Sequence, residues 1–310
     1  MILLATCENE KLGFNHINYF LNDFKSTKID FAILVRNEKL LKKLNSLNLE
    51  TKIFYTKSAE NIEELFNGLK NLKAIFYMSN SSKNIHLLRY NEYKHIFIGS
   101  KYSKRDSKVT NMLKAYDELW LQSRAEYNKL AVNLPLDKMQ ISLVGKIGAK
   151  EYLSKKTKDK SLYIFSSFDD VQMKVLRYAL KSNDTIVIKD NENNYFTFAE
   201  LQDYLKSNNL ECKLDTSIQA QYIKEANKII CDEASFNEDF LINNAQVIVY
   251  YKNNDNKLND LLKHLQFYKT YDEFLSIDNN DKVALGNFVE YYLGKSFLLN
   301  DIFCNKLKKI

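Results

Sequence analysis

The sequence predicts an α/β protein of two Rossmann-like parallel-sheet domains facing a cleft, followed by a helical C-terminal tail. Three observations carry this. Short apolar runs rich in β-branched and aromatic residues alternate with helical-period segments of about 10 to 15 residues, the pattern of βαβ units. The alternation stops at a charged tract, Lys155 to Lys160, and then starts again. The length, 310 residues, suits two domains of about 150 residues, each able to bury a core.

The first half reads as follows. Ile2 to Thr6 is a buried strand closed by Cys7, Glu8 and Asn9, and Lys11 to Lys25 is a helix with Leu12, Ile17, Phe20, Leu21 and Phe24 as its apolar positions. Asp30 to Val35 is a second strand, and Glu38 to Leu47 a helix with Leu40, Leu41, Leu44 and Leu47 to one side. Lys52 to Tyr55 is a third strand and Asn61 to Leu72 a third helix. Ala74 to Met78, His95 to Ile98 and Glu118 to Leu121 are three more strands. The polar cluster Ser79 to Asn84 can cap a helix running through His86, Leu87, Leu88 and Arg89. Ser123 to Leu130 continues as a helix, Pro135 breaks it, and Gln140 to Val144 is a strand. Right-handed crossovers make this one Rossmann-like domain, residues 1–154. Gly13 stands alone at the first strand-to-helix turn, so a Gly-x-Gly-x-x-Gly dinucleotide fingerprint is absent.

The second half, residues 155–310, repeats the logic without repeating the sequence. Its strands are Ser161 to Phe165, Thr185 to Ile188, Leu210 to Leu214, Lys228 to Cys231 and Gln246 to Tyr251. Its helices are Val171 to Lys181, Phe198 to Lys206 and Gln219 to Glu225, with another opened by Asp232 to Ser235. Two such halves in tandem give the GT-B architecture. From Leu258 the chain reads as helical, with Leu258, Leu261, Leu262, Leu265 and Tyr268 on one face. A last helix carries Phe288, Tyr291, Tyr292, Phe297, Leu298, Ile302 and Phe303 and ends in Lys306, Lys308 and Lys309. It is either a core-packing tail or a helix lying on a membrane surface.

The hydrophobic fraction of 45% and charged fraction of 27% are those of an ordinary soluble globular protein. The net charge of +6 permits contact with an anionic membrane or a phosphorylated polymer. No dense basic stripe or zinc spacing points to nucleic acid. Cys7, Cys212, Cys231 and Cys304 show no metal spacing and read as reduced core residues. No signal peptide or spanning segment is visible, so the expected location is the cytoplasm, with peripheral contact at the inner face of the membrane left open.

The stretch "SNSSKNIHLLRYNEYKH", the loop "SKRDSK" and the segment "LKAYDELWLQSRA" resemble, in order and spacing, the CDP-glycerol glycerophosphotransferases, bacterial enzymes that build teichoic-acid-like and other surface phosphopolyol polymers. The resemblance implies a GT-B transferase with a CDP-linked donor as substrate, no separate cofactor and no metal, acting on a polysaccharide or lipid-linked acceptor. The departures are specific. Ser100-Lys101 stands where the family has His-Gly, Lys189-Asp190 where it has His-Pro, and Ile147 to Lys150 lacks its Pro and Asp. In the turn Asp232 to Ser235 only Asp232 and Ser235 match.

Open α/β sheets place ligands at the carboxyl ends of their strands. After the second strand of the central stretch comes Gly99 to Lys108, hydroxyls with four cations, chemistry that suits a phosphate. The candidate phosphate or substrate contacts are Ser81, Asn84, Arg89, Ser100, Lys101, Lys104 and Arg105. With both family histidines missing, the candidates for a catalytic base are His95, Asp106 and Glu92, although His95 also reads as a strand-edge histidine. The donor candidates are Ser166, Ser167, Lys189, Asp232 and Ser235; helix capping is an equal account of Asp232 and Ser235. Two functions follow from these residues. One is a diverged transferase moving a phosphopolyol, glycerophosphate-like, or a sugar from a nucleotide-linked donor. The other is a non-catalytic protein of the same fold that binds a nucleotide, polymer or partner enzyme.

Overall fold

Five consecutive buried residues, Ile2–Thr6, form strand β1, and the first sheet grows outward from it. The computed structural model describes residues 1–47, 49–99, 110–149, 160–165, 185–189, 198–209, 212–215, 220–232, 235–243, 245–250, 266–268, 290–295 and 301–310. They divide into one unit of Met1–Gly148 with Glu290–Ile310, and a second of Ala149–Val289.

In the first unit β1 is followed by β2 (Phe31–Val35), β3 (Lys52–Tyr55), β4 (Ala74–Tyr77), β5 (Lys94–Phe97), β6 (Glu118–Leu121) and β7 (Ile141–Leu143). All pair in parallel, in the order β3-β2-β1-β4-β5-β6-β7. Side chains alternate across a strand, and here both sets are buried. Ile2 and Leu4 join one core with Ile33, Val35, Phe76 and Trp120. Leu3 and Ala5 join the other with Ala32, Leu34, Tyr77 and Leu119. A sheet buried on both faces needs near-continuous apolar strands, which explains why ILLAT and FAILV lack polar alternation.

Helices cover both faces, and the first three start on side-chain caps. Asn9 caps α1 (Glu10–Ser26) by accepting from the Leu12 amide, and Asn37 caps α2 (Glu38–Asn45) through the Leu40 amide. Ser58 and Asn61 form a reciprocal capping box on α3 (Ala59–Gly68). Ile17, Phe20, Phe24, Leu40 and Leu44 face the first core. Ile62 and Phe66 of α3, Leu87 of α4 (Ile85–Leu88) and Leu130 of α5 (Arg124–Ala131) face the second. Gly13 has a packing role, since a Cβ there would stand 2.5 Å from Leu40 Cδ2.

The second unit has β8 (Lys160–Phe165), β9 (Thr185–Lys189), β10 (Lys213–Asp215), β11 (Ala226–Asp232), β12 (Gln246–Tyr250) and β13 (Gln266–Tyr268). They form a second parallel sheet in the order β10-β9-β8-β11-β12-β13. Between strands lie α6 (Phe198–Ser207) and α7 (Ala220–Glu225), with Leu201, Leu205, Tyr222 and Ile223 buried.

Two expectations differ from this structure. Gln266–Tyr268 falls in a stretch read as helical, yet it pairs along β12, with Ile248 opposite Gln266. An open sheet edge offers unpaired N–H and C=O groups, a pull that helical spacing does not register. Asp232 ends β11 opposite Tyr250; Glu233 and Ala234 lie outside the described residues, Ser235 lies in a 3-10 turn, and a further turn, Glu238–Leu241, is capped by Asn237. The tail, assigned by sequence to the second domain, packs on the first unit. There α8 (Asp301–Leu307) buries Phe303 against Phe24 and Trp120, with ring centroids 5.2 and 5.7 Å away. The Phe303 and Leu307 face is therefore used in a protein core and is not offered to a membrane. Among the described residues no helix is long and apolar enough to cross a membrane.

Candidate functional site

The strand order of the first sheet reverses between β1 and β4, because β2 and β3 lie to one side and β4 to β7 to the other. Such a reversal opens a crevice at the carboxyl ends of the strands, where open α/β sheets bind ligands. Register fixes what stands there. Val35 pairs with both Tyr55 and Thr6, and Ala5 pairs with Tyr77. One step past the ladder, Thr56, Arg36, Cys7 and Ser79 therefore lie in a row across β3, β2, β1 and β4. Neighbours in such a row are about 4.8 Å apart.

This row is polar and under-satisfied, with Thr56, Cys7 and Ser79 buried and Arg36 half-buried. Arg36 Nη2 donates to the Lys57 carbonyl at 3.0 Å, while its Nε and Nη1 are buried with no hydrogen-bond partner. Thr56 and Ser79 are buried, and neither hydroxyl has a partner. Asn84, 1% exposed, donates from Nδ2 to the Ser79 carbonyl at 2.7 Å and to the Tyr116 hydroxyl at 2.9 Å. Its Oδ1 is left without a donor. Burial pushes the Cys7 thiol up to about 11, against the opposing pull of Arg36 and Lys83 and with a smaller upward push from Glu8. The thiol is thus neutral, and it offers the guanidinium no counter-charge.

The sequence-derived residues fall into three groups. Ser81 and Asn84 follow β4 and belong to this edge. Arg89, Glu92 and His95 do not. Arg89 and Glu92 lie in the approach to β5, and His95 is its second residue, so all three sit at the amino edge of the sheet. Arg89 is exposed, bonded to the Tyr90 hydroxyl at 2.8 Å and near Glu63. Glu92 is exposed. His95 Nδ1 meets the Tyr77 hydroxyl at 2.7 Å and Nε2 meets the Tyr90 carbonyl at 3.1 Å. A carbonyl only accepts, so Nε2 carries the hydrogen and Tyr77 donates to Nδ1. Burial depresses the basicity of the ring, outweighing the Tyr90 carbonyl and Asp117. Both nitrogens are spent inside the protein, which makes His95 a packing residue where a base was expected. Ser100, Lys101, Lys104, Arg105 and Asp106 lie outside the described residues.

In the second sheet the order reverses between β8 and β11. Phe165 pairs with Lys189, and Ile164 with Cys231. The backbone therefore brings Lys189 and Asp232 to one carboxyl edge, on the two strands that flank β8. Ser235, the first described residue after Asp232, is buried. Ser166 and Ser167 lie outside the described residues. Among the described residues no cluster of His, Cys, Asp and Glu could hold a metal.

Sequence reasoning missed Arg36, Thr56, Ser79 and Cys7. The available signal was positional: each stands just past the carboxyl end of an apolar run. Strand order, which makes those four ends neighbours, is not written in any one segment.

No family model matches the sequence, and no curated protein matches it. Solved structures do. UDP-GlcNAc 2-epimerase from Neisseria meningitidis, solved bound to UDP-GlcNAc, aligns over 100% of both chains at 13% identity with a TM-score of 0.59. MurG from Acinetobacter baumannii aligns over 100% of this chain and 99% of that one at 9% identity, TM-score 0.50. At such identities the likeness concerns fold, and the fold is GT-B.

Proposed function

We propose that this chain is a transferase that uses a nucleotide-linked donor. The donor's diphosphate lies at the carboxyl edge of the second sheet, and the acceptor at that of the first. The observation that carries this reading is the under-satisfied polar row at the strand-order reversal of the first sheet. Buried polar groups without partners are costly, and a row of them at a ligand-binding edge is accounted for by a ligand. That a protein of the same fold holds UDP-GlcNAc supports a nucleotide-linked donor. The sequence resemblance favours a CDP-linked one, with a glycerophosphate-like phosphopolyol or a sugar as the transferred group and a surface polysaccharide or lipid-linked molecule as acceptor. In this reading Lys189, Asp232, Ser235, Ser166 and Ser167 hold the donor. Asp106 remains the candidate base, and Ser100, Lys101, Lys104 and Arg105 the phosphate contacts beside it.

One observation favours a second reading, a protein that binds the same ligands without turnover. The family's histidine positions hold Ser100 and Lys189, and the nearby His95 is committed to Tyr77 and Tyr90. Loss of a general base costs about 10²- to 10⁴-fold.

The test is a thermal-shift and calorimetric screen against CDP-glycerol, CDP-ribitol, CMP, UDP-sugars and GDP-sugars. A ligand at 100 times its Kd stabilises by about 2.7 kcal/mol. A nucleotide-specific shift, lost in Asp232→Ala with Ser235→Ala, is the expected result. Silence toward every nucleotide sinks the donor site, and binding without transfer in a product assay selects the second reading.

A further inference from the structure

We propose that the carboxyl edge of the first sheet holds a small oxyanion of the phosphate or carboxylate class, with Arg36 as its charge partner and Thr56 and Ser79 as hydroxyl donors. Calling this anion the charged end of the acceptor rests on the transferase reading; its binding does not.

The argument begins with charge. A guanidinium is a cation, and Nε and Nη1 of Arg36 are buried with no acceptor other than the neutral Cys7 thiol beside them. An acid in contact would remove the need for a ligand, but no ion pair joins Arg36 to a carboxylate among the described residues. Glu8 is near enough to act on the Cys7 thiol and is the one acidic group felt there, while Lys83 adds a second positive charge. The local balance favours an anion.

Hydrogen bonding then narrows the class. Arg36 stands between Thr56 on β3 and Cys7 on β1, with Ser79 one strand further. Guanidinium N–H groups and hydroxyls are donors of the kind an oxyanion needs, and guanidinium suits phosphate and carboxylate. Thr56 and Ser79 are 2% and 7% exposed, so bulk water does not satisfy their hydroxyls. Asn84 Oδ1 is the exception in this set. It can only accept, and its amide nitrogen is already committed to Ser79 and Tyr116. It therefore asks for a hydroxyl on the ligand. The fitting molecule carries both an anionic group and a hydroxyl.

Full-length protein is titrated calorimetrically, at fixed ionic strength, with inorganic phosphate, glycerol 3-phosphate, glycerate and uncharged glycerol. Saturable binding of at least one anion, and none of glycerol, is expected. Tighter binding of glycerol 3-phosphate than of phosphate reports the Asn84 contact. Arg36→Gln should weaken the anion by at least about tenfold, since hydrogen bonds to charged groups are worth about 1.5–3 kcal/mol. Arg124→Gln, an exposed arginine on α5, should leave binding unchanged. Thr56→Val and Ser79→Ala provide a second reading of the same site should Arg36→Gln fold poorly. Phosphate-only and glycerate-only binding both support the proposal and assign the class. Equal binding by wild type and Arg36→Gln, or no binding of any of the three anions, overturns it. Anion binding combined with silence toward nucleotides sinks the transferase reading alone.

Discussion

At His95 the two ring nitrogens decide between a working base and a packing residue. Tyr77 donates to one, and the other donates to the Tyr90 carbonyl, so the neutral ring is a bridge between β4, β5 and the turn before β5. His95→Phe would leave the buried Tyr77 hydroxyl without its partner, while the Tyr90 carbonyl keeps the Tyr93 amide at 3.2 Å, at a cost of about 1–3 kcal/mol. The double variant His95→Phe with Tyr77→Phe should recover part of that loss, because both sides of one bond are then removed. Urea midpoints for the four-member cycle check this; independent, additive losses would show that the bond contributes nothing. The pH sign follows from the depressed basicity of the ring. Its contribution is full above the ordinary histidine value of 6.5 and falls as pH drops below it, because the unfolded chain takes up the proton first. The sequence revealed His95's place at the start of a strand, and so its distance from the carboxyl edge. It could not reveal Tyr77 as partner, because alternation along two strands and their mutual register must both be known before the side chains meet.

Helix α8 and strand β6 show the same limit one scale up. Glu118 opens β6 inside an apolar run, and its side chain is 1% exposed. Lys306 of α8 reaches its Oε1 at 2.5 Å, Ser142 of β7 donates to Oε1 at 2.7 Å, and Lys94 of β5 stands 3.1 Å from Oε2. Burial pushes the carboxyl up, but these partners prevail and hold it down to about 2. Its ordinary value is 4.5, so the stability it contributes is present above that pH and is lost as pH falls toward about 2. Glu118→Gln should flatten the acid limb of the unfolding midpoint between these values. It should also destabilise the protein near neutrality by about 1–3 kcal/mol, the scale of hydrogen bonds to a charged group, because Lys94 and Lys306 are partly exposed and keep access to water. An unchanged acid limb would show that other carboxylates set it. The strands of the first sheet were legible because apolar runs buried on both faces need no knowledge of their neighbours. Strand β13 and the docking of α8 were not. Each depends on a surface, a sheet edge or a groove over Trp120, that other segments create.

For the whole molecule the chief consequence is that one folding unit is made from two distant pieces of chain. The first unit leaves at Gly148 and resumes at Glu290. The Lys146 amide donates to the Leu293 carbonyl at 2.7 Å, and a Cβ on Gly294 would stand 2.6 Å from the Gln122 carbonyl. The returning chain is therefore held against the carboxyl ends of β6 and β7 before it supplies Phe303 and Leu307 to the core. Deleting it removes three fully buried side chains, Leu293, Phe303 and Leu307, each worth about 2–5 kcal/mol when truncated. Domain stabilities are only about 5–15 kcal/mol. Residues 1–148 alone should therefore fail to give a cooperatively folded unit, while the same residues joined by a short flexible linker to 290–310 should succeed. Trp120 is the chain's single tryptophan and lies against Phe76 and Phe303, so its emission reports the docking directly. Blue-shifted emission with one unfolding transition is expected for the linked chain, and red-shifted emission for 1–148. Equal emission and equal urea midpoints for the two would show that the tail only covers a core complete without it. Sequence order suggested a second domain that ends with the chain. In chain order, residues 149–289 are instead inserted between the two pieces of the first unit, so a truncation that also removes 290–310 should destabilise the first unit.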